Sequence, residues 1–165
     1  SLVAADNALH QGLITPDDLA ESISLHESHP GITAVRELLQ HADAGHESVG
    51  ETRMMHNLRI LGYRMQPQVP VSVGGRTYRV DGKLIGHNVY VEFDGLGKYL
   101  DSPTGIVDDA LVRRRIAAEK AREAGIRDVT GGELVRFGWT DLDALDLMDA
   151  RMQGAIGRAR TRRGA

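Results

Sequence analysis

Between Arg76 and Tyr99 the chain reads RTYRVDGKLIGHNVYVEFDGLGKY, two alternating apolar–polar runs around a short glycine-containing turn. Successive residues of a strand face opposite sides of a sheet, so alternation this regular constrains the segment to a hairpin. It gathers Arg79, Asp81 and Lys83 on one face of the first strand, with Tyr78 and Val80 on the other. In the second strand Asn88, Tyr90, Glu92 and Asp94 share a face, and Val89, Val91 and Phe93 point the opposite way. A two-residue turn at Gly86-His87, glycine first as a type II′ turn prefers, pairs Ile85 with Asn88, Lys83 with Tyr90 and Asp81 with Glu92. Two carboxylates then stand about 5 Å apart at their β-carbons, an arrangement that is destabilising unless compensated, and a divalent metal is the obvious compensator. A three-residue loop would offset the pair by one position.

With 165 residues the chain is long enough for one domain with a real core and a small appendage. It has no cysteine, which excludes disulfides and thiolate-bound metals and fits a cytoplasmic setting. No basic segment followed by an apolar run opens the chain, and no stretch approaches the length of a membrane span, so no membrane association is expected. The net charge is −3, but residues 1–51 hold nine acids and one base, leaving the rest of the chain basic. A basic body under an acidic cap suits an anionic ligand. Seventeen of the twenty basic residues are arginine. The few lysines, Lys83, Lys98 and Lys120, lie in or near the acidic strands or on the helix just downstream. An ammonium can give up a proton or orient water where a guanidinium cannot; chance placement is the alternative.

In chain order, Leu2–His10 reads as a short helix ending near Gly12, and Thr15-Pro16-Asp17-Asp18 as a strong helix start running to about His26. Ile32–Ala42 has helical spacing. His10, His26, His29, His41 and His46 form no convincing metal pattern. A helix from Ser48 to Gly62 follows, in which Ser48 and Glu51 have the spacing of a reciprocal cap. Glu51 also lies on the side of Met55 and Leu58, which is expected to pack on the sheet, so both a capping and a site role are open to it. Gln68–Val73 predicts a strand and Gly74-Gly75 a hairpin turn. Leu100–Gly105 reads as a loop beside the site, and 106–124 as a helix closed by Gly125. Arg113, Arg114 and Arg115 on that helix form either a solvated face or a phosphate-contacting one. Strands are expected at Ile126–Val129 and Glu133–Phe137, a last helix opens at Trp139, and the five arginines from Arg151 onward suggest a nucleic-acid-facing or disordered end. Tyr90, Tyr99 and Trp139 are read as packing residues.

The order is helices followed by α-β-β-β-α-β-α, with acids on the second and third strands. Glu51, then Asp81 in VDG, then VEFDG with Lys98-Tyr99 behind it, the EK-A-RE helix segment and the VRFGWTDL ending resemble the PD-(D/E)xK nuclease superfamily. The similarity is closest to the branch related to very-short-patch-repair endonucleases, found at the C-terminus of actinobacterial AbiEi-like antitoxin proteins, and it runs from about Gly31 to Leu145. The resemblance implies an α/β (α+β) fold, a restriction-endonuclease-like mixed sheet flanked by helices. A helical preface is expected over residues 1–46, the nuclease-like domain over 47–150 and an arginine-rich tail over 151–165. Members of this branch often carry an N-terminal winged helix. None is seen in this sequence, so the expectation is a truncated product or the nuclease-like part alone.

The resemblance implies a Mg²⁺ ion (or Mn²⁺) held by Asp81 and Glu92, with Glu51 a direct or water-mediated ligand. The superfamily places a lysine two residues after the glutamate; here that position is Asp94. Lys98, or Lys83 two residues after Asp81, would supply the missing ammonium; otherwise Asp94 is a further ligand or the site is dead. Asp81 and Asp94 also read as turn acids beside Gly82 and Gly95. Arg113, Arg114, Lys120 and Arg122 are the expected nucleic-acid contacts. Three functions follow: a metal-dependent DNA endonuclease, a catalytically inactive nuclease-fold domain that binds nucleic acid, and an antitoxin-type domain that binds a partner toxin or works beside an N-terminal DNA-binding domain.

Overall fold

The computed structural model describes residues 1–95 and 109–163. Lys98, Tyr99 and the loop expected over Leu100–Gly105 therefore lie outside the described residues. The chain divides into two compact units, Ser1–Arg53 and Met54–Ala165, later than the boundary expected after residue 46.

The first unit is helical: α1 (Leu2–His10), α2 (Pro16–Leu25), α3 (Ile32–Leu39) and the opening of α4 (Val49–Ile60). Helix α2 begins as its sequence demands, with Thr15 and Asp18 capping each other reciprocally and proline in the first turn. The unit is tied together by Asp6, which is buried on α1 and accepts from His46 Nδ1 at 2.6 Å, Thr52 Oγ1 at 2.7 Å and the Asp43 amide at 2.9 Å. Burial pushes the Asp6 carboxyl up, but the bonds from His46, Asp43 and Thr52 outweigh it and hold the group below the usual carboxylate range.

The second unit is a mixed α/β layer structure. Its sheet has the order β1 (Met65–Val73), β2 (Arg76–Leu84), β3 (Val89–Phe93) and β4 (Glu133–Phe137). The first three strands are antiparallel and β4 runs parallel to β3, reached through α5 (Asp109–Thr130). Pro67 and Pro70 sit in β1, an edge strand, where missing amides are tolerated. One core joins Met54, Met55 and Leu58 of α4 to Val89, Val91, Val135 and Phe137 of the sheet and to α6 (Leu145–Arg163). A smaller one joins Val71, Val80, Tyr90 and Leu134 to Ile126 of α5. Among the described residues, no helix is long and apolar enough to cross a membrane.

Several expectations are met and several corrected. Gly74 and Gly75 both have positive φ, as a tight two-residue hairpin requires. The β2–β3 register pairs Lys83 with Tyr90, as expected, and Gly82 with Val91, where the ladder ends short of the expected Asp81–Glu92 pair. The turn differs: the His87 amide bonds the Leu84 carbonyl, which centres it on Ile85-Gly86 with Gly86 at φ 81°. The register survives because the four-residue connection is symmetric about the same point as the two-residue one. The strand expected at Ile126–Val129 is instead the last turn of α5. Gly125 does not end that helix; it lets the helix approach β1, where an added Cβ would overlap Val73 Cγ1. Gly82 likewise serves a close approach, with a Cβ overlapping Met55 Cε, so Asp81 is a mid-strand residue rather than a turn acid. Residues 151–163 are no separate tail: α6 continues to Arg163 and buries Met152, Ala155, Ile156 and Ala159. The helix expected to open at Trp139 starts later, after a 3-10 turn at Asp141–Asp143.

Overpacking costs about 1–3 kcal/mol, whereas glycine to alanine in a helix interior gains about 1 kcal/mol. The rigid Val73 methyl should make the clash win, so Gly125→Ala is expected to destabilise in urea unfolding and Gly125→Val to destabilise further; a stabilised alanine variant would refute the close approach. Because the Asp6 pKa is depressed in the fold, its contribution is complete above the unfolded carboxylate value and is lost as pH falls through the folded one. Asp6→Asn is expected to be less stable at neutral pH and to show a shallower acid dependence in far-UV circular dichroism. Parallel acid curves would rule the network out.

Candidate functional site

Strand β3, VYVEF, is internal to the sheet, and its first four residues are buried. Glu92 therefore carries a charge where desolvation is costly unless the charge is paired. The pairing is close. Arg122 of α5 donates Nη1 to Glu92 Oε1 at 2.7 Å and Nη2 to Oε2 at 2.6 Å, a bidentate fork. Arg136 stands opposite Glu92 in the parallel β3–β4 register and brings its Nε to 3.3 Å from Oε2. Glu119, one turn before Arg122 on α5, accepts from Arg122 Nε at 3.1 Å and Nη2 at 2.5 Å and also binds Arg136. Two carboxylates and two guanidiniums thus close a ring under α5. The bonds to Glu92 lead in raising the Arg122 pKa, against the opposing effect of burial, and the bond from Arg122 leads in lowering that of Glu119.

This ring forms one wall of a cavity of about 230 Å³. Asp81, Glu92, Asp94 and Glu119 supply its carboxylates, and Arg79, Arg122 and Arg136 its guanidiniums. Asp81 accepts from the Phe93 amide at 2.7 Å, so its side chain takes a backbone donor at the end of the β2–β3 ladder. Asp94 follows the end of β3, its amide donating to the Phe137 carbonyl at 2.9 Å. Across β2 from Asp81, the β1 ladder skips Gln68, which has φ 49°. Strained backbone of this kind is concentrated at functional sites.

The structure brings together Asp81, Glu92, Asp94 and Arg122 of the residues expected from sequence. Glu51 belongs to the first unit and takes its capping role there, accepting from Ser48 Oγ at 2.9 Å and the Glu47 amide at 3.0 Å. Lys83 lies over the Tyr90 ring, 5.5 Å from its centroid. Arg113, Arg114 and Lys120 are exposed on α5, whereas Arg122 turns into the cavity. Trp139 packs edge-on against Phe93 at 4.9 Å between centroids. Sequence reasoning missed Glu119 and Arg136, and it placed Arg79 on the face of Asp81 without giving it a role. A signal existed for the second: Arg136 is the one charge inside LVRF, and a charge within a buried strand needs a partner on the neighbouring strand.

Among the described residues, no group of three or more His, Asp or Glu side chains is placed to hold a metal ion. The cavity instead offers Asp81 and Glu92, hard oxygen donors on adjacent strands. Magnesium needs only one or two carboxylates when water and phosphate oxygens complete its shell, so the donor chemistry fits once Glu92 is released from Arg122.

Removing one member of a buried ion pair costs about 3–5 kcal/mol, largely because its partner is left uncompensated. Glu92→Gln and Arg122→Met are each expected to destabilise in chemical denaturation, and the double variant to lose less than the sum, with a coupling of about 1–3 kcal/mol. Strict additivity would show that the fork contributes nothing. Comparison of the chain with family models, curated proteins and solved structures gives no match.

Proposed function

We propose that this chain is a restriction-endonuclease-like domain of the PD-(D/E)xK type that hydrolyses DNA phosphodiesters with Mg²⁺ or Mn²⁺. The observation that supports this reading is the convergence of Asp81, Glu92 and Asp94 with three arginines in one cavity where β3 ends. Asp81 and Glu92 would hold the ion, and when bound it would polarise a phosphate oxygen and activate water. The chain's own part is positional and electrostatic. Arg79, on the cavity wall, suits the developing negative charge of a phosphoryl group, although a guanidinium cannot serve as a proton donor. Lys83, on the face of β2 that carries Asp81, is the described ammonium nearest in sequence. Arg113, Arg114 and Lys120, exposed along α5, would carry the duplex through phosphate contacts without base readout.

A second reading is a nuclease-fold domain that binds DNA without cutting it. It is favoured by the fork from Arg122, which occupies both oxygens of Glu92. Partnership with a toxin rests on the family resemblance alone.

Incubation of supercoiled plasmid with protein and Mg²⁺ or Mn²⁺ separates the two. Nicking that requires the metal and disappears in a folded Asp81→Asn variant is expected; salt-sensitive binding without nicking would leave the second reading. In either case duplex affinity is expected to fall with salt. Replacing Arg113 and Arg114 with alanine should reduce the logarithmic salt slope by about one for each phosphate that is no longer neutralised. An unchanged slope would remove α5 from the interface.

A further inference from the structure

We propose that Arg122 is a built-in counter-cation that a divalent ion must displace from Glu92, and that a phosphate entering the cavity is what draws it away. The inference rests on the metal-dependent reading above and deepens it by specifying how the site is loaded.

Glu92 is already occupied. Both of its oxygens accept short bonds from Arg122, and Arg136 adds its charge from the neighbouring strand. A divalent ion seeks these same oxygens, so metal and guanidinium compete for one ligand. The ring is also built so that Arg122 can let go. Its Nε is anchored separately, to Glu119 on the same helix, at 3.1 and 3.2 Å from the two carboxylate oxygens. Its guanidinium carbon also lies 5.8 Å from the centre of the Tyr78 ring, a second surface on which a planar cation rests well. Leaving Glu92 therefore does not strand the arginine.

The cavity supplies the reason to leave. A guanidinium fork fits two phosphate oxygens as well as it fits a carboxylate. Asp81 shares the cavity, so a phosphodiester entering alone meets carboxylate repulsion, and a metal entering alone meets arginine repulsion. Entering together, the two exchange partners: the guanidinium moves from carboxylate to phosphate, and Glu92 becomes available to the metal. Metal and phosphate must then bind with positive coupling, and by linkage each tightens the other by the same factor.

The test is calorimetric titration of Mn²⁺ into the full chain, with and without excess diethyl phosphate as the phosphodiester probe. Wild type, Arg122→Met and Arg122→Lys are compared, with thermal melts to confirm folding. Arg122→Met is expected to bind Mn²⁺ at least about tenfold more tightly than wild type, and diethyl phosphate to tighten the wild type but not the variant. The lysine variant keeps the charge without the fork and is expected to fall between them. If wild type binds Mn²⁺ and Arg122→Met binds it equally or less well, the competition is overturned while the metal reading stands. If the variant tightens but diethyl phosphate has no effect on wild type, the exchange is overturned. Absence of Mn²⁺ binding by all three proteins, with and without probe, overturns the metal reading and this inference with it.

Discussion

The bidentate bond between Arg122 and Glu92 is the contact on which the geometry of the second unit turns. An ionised carboxylate on a central strand cannot be left alone in a low-dielectric interior. It is answered by Arg136, opposite it on β4, and by Arg122 of α5, a helix that also packs on the sheet through Ile126. The approach of α5 then depends on small residues beneath it, above all Gly125 against Val73. Charge pairing and steric fit thus fix the same helix from two places along its length.

The ring also changes how the acidic hairpin is understood. Register alone sets Asp81 against Glu92 and calls for a compensating cation. In the fold, guanidiniums supply it, one from the helix and one from the next strand. Arginine suits the role because it stays charged at any accessible pH and matches a carboxylate with two parallel donors. The resulting cavity is neither purely acidic nor purely basic. Such a mixture sets both signs of charge in the same small volume, as the proposed metal-dependent hydrolysis of a phosphodiester would require.

The first unit has a comparable device. Asp6 gathers a histidine, a threonine and a backbone amide from positions 37 to 46 residues away in sequence. Sequence spacing marked none of the histidines as a set, and the structure explains why: His46 answers a single distant carboxylate rather than its neighbouring histidines.

What sequence determined was local. Alternation defined the β2–β3 strands and their register, Thr15-Pro16 the start of α2, Gly74-Gly75 the first hairpin, and Ser48 with Glu51 the cap of α4. Each depends on residues a few positions apart, whose backbone preferences act without the rest of the chain. Tertiary structure alone decided that Ile126 belongs to a helix, because Gly125 is there for contact with Val73 rather than to end the turn. It alone drew α6 through the arginine-rich end by burying Met152, Ile156 and Ala159. It alone placed Glu119 and Arg136 in the ring, since whether a charge is solvated or paired depends on which distant groups share its low-dielectric surroundings. Periodicity does not carry that information; packing does.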